Sequence, residues 1–126
     1  MIKKITYVET YNIRHQVMWP DKPLEYIKLE QDPEGDHYGY YVNDQLVSVI
    51  SVFETEEGYQ FRKFATLVSY QGQGIGSQLL SYVMKKYDHL WCNARLEKTS
   101  FYEKFGMYKT DRTFSRGNKK YVIMKK

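Results

Sequence analysis

The chain has 126 residues, long enough for one domain with its own core, and it carries a net charge of +4 with 17% aromatic residues. It has no apolar run of about 18 residues that would span a membrane, and its N-terminus becomes polar at Thr6, before a signal-peptide core forms. The single cysteine, Cys92, excludes a disulfide framework and a cysteine-based zinc site, and the histidines lack metal-ligand spacing. We therefore expect no metal and a single cytoplasmic domain over residues 1–126.

The first quarter of the chain predicts a strand and two helices. Lys3–Val8 alternates weakly, as a strand does, and Thr10–Met18 has apolar residues at helical spacing until Pro20 stops it. Leu24–Leu29 predicts a short second helix. The cluster Asp32-Pro33-Glu34-Gly35-Asp36 then predicts a turn.

An antiparallel meander is predicted next, because three runs rich in aromatic and β-branched residues are joined by short turns. His37–Val42 and Leu46–Phe53 flank Asn43-Asp44, two residues that tolerate left-handed geometry and suit a tight hairpin. Glu56-Glu57-Gly58 then turns the chain into a third strand, Tyr59–Val68.

The second half of the chain alternates helices and strands. The first helix begins within residues 71–77 and continues through Leu79–Tyr87, where Leu79, Val83 and Tyr87 share one face. The remaining predicted elements are a strand parallel to the third one, a helix and two closing strands: Leu90–Ala94, Lys98–Phe105, Met107–Thr113 and Lys119–Met124. The order βαα-βββ-α-β-α-ββ predicts a mixed α/β fold whose mostly antiparallel sheet is flanked by helices.

Residues 71–77, Gln-Gly-Gln-Gly-Ile-Gly-Ser, link the third strand to this helix and predict a phosphate site. Glycines allow positive φ and close approach of a ligand, and the first helical turn offers unpaired N–H groups at the positive end of the helix dipole. The Walker A motif is excluded because no lysine follows the glycines, and the dinucleotide motif is excluded because Ser77 or Leu79 takes its last glycine position. A plain glycine-rich turn is the alternative.

The spacing Gln-x-x-Gly-x-Gly at Gln71, Gly74 and Gly76 resembles the pyrophosphate-binding loop of the GNAT acetyltransferase superfamily, which holds acetyl-CoA. A second motif strengthens this resemblance. Asn93-Ala94-Arg95 followed by Phe101-Tyr102-Glu103-Lys104-Phe105-Gly106-Met107 is similar to the strand with an Asn and the helix ending Phe-Tyr-x-Lys-x-Gly-Phe of that family, with a Met in the final position. The two motifs occur in the order of the family.

The resemblance implies a cofactor cleft between strands Tyr59–Val68 and Leu90–Ala94, which splay apart. Free backbone groups near Leu67 and Val68 would pair with the pantetheine arm as an added strand does, and the loop amides would hold the pyrophosphate. The cofactor-binding residues implied in this way are Leu67, Val68, Gln71, Gly72, Gln73, Gly74, Ile75, Gly76, Ser77, Asn93 and Lys104.

The activity implied is N-acetyl transfer from acetyl-CoA to a primary amine of a small molecule or peptide, by direct attack in a ternary complex. A backbone N–H near Leu67 would stabilise the oxyanion, and Tyr102 would give a proton to the departing sulfur, unless Tyr102 only packs. The amine proton needs an acceptor, and the candidates are Glu30, Asp36, His37, Glu54 or water.

Other functions and properties stay open on the sequence alone. A catalytically silent CoA-binding regulator would share the same loop. A nucleic-acid-binding domain is disfavoured, because the lysines cluster mainly at the chain ends and no basic amphipathic helix is present. Assembly as a homodimer and the identity of the acceptor also stay open; we expect specificity to reside in residues 19–36 and in the loops at 54–58 and 114–118.

Overall fold

A seven-stranded sheet organises the computed structural model, which describes all residues from 1 to 126. The strands, in chain order, are β1 Ile2–Ile5, β2 Asp36–Val42, β3 Gln45–Thr55, β4 Gly58–Thr66, β5 Leu90–Arg95, β6 Tyr108–Arg116 and β7 Lys119–Lys125. Their order in the sheet is β1-β2-β3-β4-β5-β7-β6, and every neighbouring pair is antiparallel except β4 and β5. The predicted mixed, mostly antiparallel fold is confirmed.

Helices cover both faces of this sheet. The α-helices are α1 Tyr7–Ile13, which continues as a π-helical segment Arg14–Met18, α2 Ile75–Lys86 and α3 Thr99–Glu103. Ile13 of α1 packs with Val49, whereas Leu79 of α2 packs with Ile50. Because successive strand residues point to opposite faces, α1 covers one face and α2, together with α3, covers the other; we call these the α1 face and the α2 face. No helix has the length and apolar content needed to cross a membrane.

The predicted strand Lys3–Val8 is wrong beyond Ile5, because a capping box starts α1 at Tyr7. The Thr6 hydroxyl accepts a hydrogen bond from the Glu9 N–H at 3.3 Å, and the Glu9 carboxylate accepts one from the Thr6 N–H at 3.0 Å. These reciprocal bonds satisfy helix donors that would otherwise be free. They outweigh the weak alternation of the sequence.

Two predicted helices are shorter in the structure. Leu24–Leu29 forms only a 3₁₀ turn, Leu24–Ile27. Lys98–Phe105 is reduced to α3, because Gly106 adopts a left-handed φ of 86° and the chain closes in a Schellman motif. In this motif the N–H of Met107 donates to the carbonyl of Tyr102 at 3.3 Å.

A bulge and a divergence of strands together open the sheet. Val49 and Ser51 of β3 pair with Ala65 and Arg62 of β4, so β4 contains one extra residue, and Lys63 adopts a positive φ of 54°. The parallel strands β4 and β5 pair only through Tyr59–Leu90 and Gln60–Trp91. Beyond these pairs the two strands splay apart, as the resemblance implied.

Candidate active site

The divergence of β4 and β5 creates a cleft of about 910 Å³. It reaches both faces of the sheet, since its walls include residues that follow α1 as well as the loop before α2. Polar and aromatic side chains alternate along it. The residues that line the cleft include Trp19, Tyr26, Gln60, Arg62, Lys63, Thr66, Gly72, Gly74, Gly76, Asn93, Lys98, Tyr102, Phe114, Arg116 and Tyr121.

The glycine loop ends the cleft on the α2 face with a set of free backbone donors. Gly72 and Gly74 adopt left-handed φ values of 78° and 79°, and nothing lies within 4 Å of where their Cβ atoms would be. None of the backbone N–H groups from Gly72 to Ser77 donates a hydrogen bond within the protein, and they surround the start of a 12-residue helix. Such a nest of amides at the positive end of a helix dipole suits a diphosphate.

The side chains of the loop hold its shape. The amide of Gln71 donates to the Thr66 carbonyl at 2.9 Å, and the amide of Gln73 donates to the Ser69 carbonyl at 3.3 Å. Gly76 faces β4, and a Cβ there would lie in ordinary van der Waals contact, 3.4 Å from Phe64 and from Thr66. The loop therefore offers its backbone, rather than the Gln71 or Gln73 amides, to a ligand.

The prediction of free backbone groups is wrong for Leu67, whereas Val68 keeps a free N–H. The Leu67 N–H donates to the Val47 carbonyl in β3 at 2.9 Å, and its carbonyl accepts from Tyr70 at 2.9 Å in a 3₁₀ turn that also uses the Val68 carbonyl. Backbone groups of successive strand residues point to opposite edges. Thr66 therefore faces the open edge of β4, one residue earlier than predicted.

Tyr102 and Asn93 line the cleft on its other side. The Tyr102 ring packs on Phe61 and Phe101, with centroids 5.6 and 5.3 Å apart, and its hydroxyl makes no hydrogen bond within the protein. Burial raises the pKa of Tyr102, so the phenol remains protonated at neutral pH. Asn93 is exposed on β5. Both side chains are free to contact a bound molecule.

Lys104, predicted to reach a cofactor phosphate, does not line the cleft. It is exposed at the C-terminal cap of α3, two residues after Tyr102. Residues two apart lie on nearly opposite sides of a helix, so a helix that presents Tyr102 to the cleft turns Lys104 away. Lys98, in the 3₁₀ turn before α3, lines the cleft instead.

Two of the four side chains considered as bases are already engaged. His37 is buried, and its ring nitrogens lie 2.7 Å from the Ser51 hydroxyl and 2.9 Å from the Asp32 carbonyl. Burial is the main reason that its pKa is lowered. Asp36 accepts from the Tyr87 hydroxyl at 2.8 Å and pairs with a lysine of β1. Neither side chain lines the cleft.

The other two carboxylates, Glu30 and Glu54, lie beside the cleft. They line an adjoining pocket of about 820 Å³ that shares Gln60 and Arg62 with it. Of the carboxylates considered, only these two line a pocket that shares residues with the cleft. Cys92 is buried, and burial alone raises its pKa to about 12, so its thiol is protonated and unreactive.

Sequence reasoning missed the cations of the bulge. Arg62 and Lys63 are half-buried and line the cleft, and Arg116 of β6 lies across from them. Burial, and then the charges of Arg62 and Arg14, lower the pKa of Lys63 to about 8. The extra residue of β4 breaks the strict alternation of strand side chains between the two faces of the sheet. The sequence pattern therefore did not predict that these side chains lie together.

A buried ion pair fixes the wall of the cleft on the α1 face. The Arg14 guanidinium donates to both carboxylate oxygens of Asp32, at 2.8 and 2.9 Å, and both side chains are buried. It also donates to the Ile27 carbonyl at 3.2 Å and to the Ser51 hydroxyl at 2.9 Å. These bonds tie residues 24–34, which carry Tyr26 of the cleft wall, to β3.

The chain is similar to one described protein family and to relatives with similar names. A family model described as "Acetyltransferase (GNAT) domain" matches residues 3–126. The relative YitI of Bacillus subtilis (strain 168), named an uncharacterised N-acetyltransferase, is 31% identical over 119 residues, which cover 83% of this chain and 80% of YitI.

Solved structures share the fold at lower identity. An aminoglycoside 6'-N-acetyltransferase complexed with coenzyme A aligns with a TM-score of 0.81 at 16% identity, over 100% of this chain and 96% of that one. A GNAT family acetyltransferase from Elizabethkingia anophelis with acetyl-CoA bound aligns with a TM-score of 0.77 at 18% identity, over 99% and 95% of the two chains. At these identities the likeness concerns the fold alone.

Proposed function

The chain belongs to the GNAT acetyltransferase family, and we propose that this acyltransferase transfers an acetyl group from acetyl-CoA to a primary amine of a small molecule or peptide in a ternary complex. The observation that carries the proposal is the row of free backbone N–H groups from Gly72 to Ser77, at the start of α2 and beside the open edge of β4. Acetyl-CoA offers the matching groups, a diphosphate and an extended amide-bearing arm.

In this proposal the protein binds its cosubstrate mainly through backbone. The amides of residues 72–77 hold the diphosphate, and the N–H of Thr66 on the open edge of β4 pairs with the arm, since the Thr66 carbonyl already accepts from Gln71. Asn93 and Lys98 contact the cosubstrate from the β5 side of the cleft. We assign no contact to Lys104, whose side chain lies outside the cleft.

Bound acetyl-CoA supplies a thioester whose carbonyl an amine lone pair attacks, with release of the CoA thiolate. In this proposal Tyr102, which lines the cleft and stays protonated at neutral pH, donates its phenolic proton to the leaving sulfur. Such general-acid assistance contributes about 10²–10⁴-fold to rate. The acceptor arrives as an ammonium ion, so its proton has to leave first; Glu54, Glu30 or a water between them accepts it.

The state of the single cysteine bears on the compartment in which the protein works. Its only thiol, that of Cys92, is buried and unpaired. A reducing compartment imposes no cost on such a chain. We therefore propose a cytoplasmic setting, with acetyl-CoA drawn from the same compartment.

An acceptor panel measured by free thiol release tests the proposal. Purified protein, acetyl-CoA and a range of amines are expected to give CoA in proportion to acetylated amine. Independently, saturating CoA is expected to stabilise the fold by about 2.7 kcal/mol at one hundred times its dissociation constant. A folded sample that shows neither a shift in Tm with millimolar CoA nor amine-dependent thiol release contradicts the proposal.

A further inference from the structure

Three cations meet where the bulge of β4 faces the β6–β7 hairpin. Arg62 and Lys63 are half-buried on the bulge, and Arg116 lies near the hairpin turn; all three line the cleft. We call Arg62, Lys63 and Arg116 the cationic cluster. Burial, and then the like charges of the neighbouring cations, lower the pKa values of Arg62 and Lys63. Arg62 pairs across the strands with Ser51, whose hydroxyl accepts a hydrogen bond from Arg14, so Arg62 lies on the α1 face.

None of the three cations of the cluster forms an ion pair within the protein. No carboxylate oxygen lies within 4.0 Å of a side-chain nitrogen of its members, although five ion pairs occur elsewhere. Asp32, the nearby acid, is held by both guanidinium nitrogens of Arg14. Arg112, by contrast, pairs with Glu57 at 3.0 Å. Arg62 and Lys63 are half-buried and Arg116 is exposed. Half-buried like charges without partners are unfavourable, so an anion bound between the three would stabilise this arrangement.

Aromatic rings give the cluster a fixed frame. The Arg116 guanidinium lies 5.7 Å from the centre of the Phe114 ring, and Phe114 stacks on Tyr121 at 5.1 Å with an interplanar angle of 12°. On the opposite wall Trp19 and Tyr26 meet edge to face at 5.0 Å. A planar guanidinium held on a ring is well suited to bind a carboxylate or phosphate through two hydrogen bonds.

The cluster is separate from the diphosphate site. The free amides before α2 lie on the α2 face, whereas the cluster lies on the α1 face with Trp19 and Tyr26. An anion on the cluster therefore belongs to the acceptor, not to CoA. Glu30 and Glu54 line the adjoining pocket, which shares Arg62 with the cleft. Their carboxylates would attract the positively charged amine of the same molecule.

We propose that the acceptor is an amine that also carries an anionic group, a carboxylate or a phosphate, which the cationic cluster binds. This inference rests on the proposed acetyl transfer and narrows its substrate class. The aromatic rings beside the cluster would cover the carbon skeleton of the acceptor.

Matched pairs of acceptors test it. Each amino acid of a panel is compared with its carboxamide, and each aminoalkyl phosphate with its amino alcohol, at saturating acetyl-CoA. We expect the wild-type kcat/KM to favour the anionic member by at least about tenfold, the effect of losing one hydrogen bond to a charged group. The arm with the larger ratio identifies carboxylate or phosphate.

Variants then locate the effect. Arg62→Gln and Arg116→Gln are expected to reduce the ratio at least fivefold and to leave the KM for acetyl-CoA unchanged, while Arg62→Lys retains part of the ratio. Lys120→Gln is the control, because it removes one exposed positive charge from β7 outside the cleft. A CoA-induced Tm shift equal to that of the wild type shows that each variant is folded.

Binding of the same probes in the presence of CoA separates this inference from the proposed function. Acetyl transfer to neutral and anionic acceptors with equal kcat/KM overturns the anionic acceptor and leaves the acetyltransferase standing. A fall in acetyl-CoA affinity alone in Arg62→Gln also overturns it. If no amine is acetylated but anionic probes bind in an Arg62-dependent way, the anion site is supported and the proposed transfer fails.

Discussion

The two sides of the cleft are built from different materials. The side proposed to bind the diphosphate presents backbone N–H groups from a single run, residues 72–77, whose geometry is set by left-handed glycines. The side proposed to bind the acceptor presents side chains from segments far apart in the chain, including Tyr26, Arg62 and Arg116. A site of the first kind tolerates changes of side chain but not of backbone, whereas a site of the second kind depends on how distant segments are held together.

This difference predicts opposite vulnerabilities. The diphosphate side should fail when one glycine is replaced. The acceptor side should fail when the buried contacts that position its wall are broken, even far from the cleft. Four substitutions test the comparison at decreasing energetic cost.

Arg14→Met is expected to have the largest effect, because it leaves the Asp32 carboxylate buried without its partner. Breaking a buried ion pair from one side costs about 3–5 kcal/mol in the free energy of unfolding. Urea denaturation at pH 7 measures this cost. The control is Arg112→Met, which breaks an exposed pair with Glu57 and should cost no more than about 1 kcal/mol. Equal costs for the two variants would show that the buried pair does not hold the acceptor wall.

Gly74→Val is expected to abolish CoA binding in a folded protein. A left-handed φ of 79° is strained for any β-branched residue, and the new side chain would stand among the amides. We expect a loss of at least about hundredfold, or 2.7 kcal/mol, in CoA affinity measured by calorimetry. Gly117→Val makes the same change at a φ of 62° in the β6–β7 turn, also in open space, and should keep CoA affinity. Unaltered affinity in Gly74→Val would remove the loop from the site.

The same contrast explains what the sequence could predict. The order of elements along the chain and the glycine-rich turn before α2 were predictable from local patterns, and the splayed strands from the resemblance carried by two spaced motifs. The start of α1 was missed because the Thr6–Glu9 capping box outweighs a weak strand pattern. The shift from Leu67 to Thr66 followed from hydrogen bonds with Val47 and Tyr70 that no local pattern reveals.

The sequence indicated which segments border the side proposed for the acceptor, but it did not indicate which side chains line it. Residues 19–36 and the hairpin at 114–118 do line the cleft or its adjoining pocket. The cationic cluster, however, depends on the extra residue in β4 that brings Arg62 and Lys63 together. A bulge changes which face each side chain takes, and one sequence does not reveal its position. Lys104 lies outside the cleft lining at the end of the short α3, so its predicted contact with a cofactor phosphate stays a prediction.

Tyr102→Phe tests the chemistry between the two sides. The ring keeps its packing on Phe61, so CoA affinity should be unchanged and only the proton donor is lost. We expect kcat at saturating acetyl-CoA to fall at least tenfold, which corresponds to about 1.4 kcal/mol of barrier. Tyr82→Phe, on the exposed side of α2, serves as the matched control and should retain kcat. Wild-type turnover in Tyr102→Phe would reassign this residue to packing.

Lys63 is the site of the smallest and most specific expected effect. Its lowered pKa makes the free energy of unfolding depend on pH through this side of the cleft. The pKa of Lys63 is about 8 in the folded state and about 10.4 in the unfolded state. Between these two pH values the folded protein therefore binds fewer protons at this lysine than the unfolded chain does. Stability therefore rises with pH from about 8 to about 10.4, since the unfolded state binds more protons there. The difference in unfolding free energy between the wild type and Lys63→Met isolates this contribution, and solvent screening of the half-exposed ammonium keeps it small. A difference that stays constant from pH 7 to 10 would show that Lys63 titrates as a free surface lysine. An anionic acceptor analogue bound to the cationic cluster should raise the Lys63 pKa and move the rise to higher pH, whereas CoA alone should leave it in place.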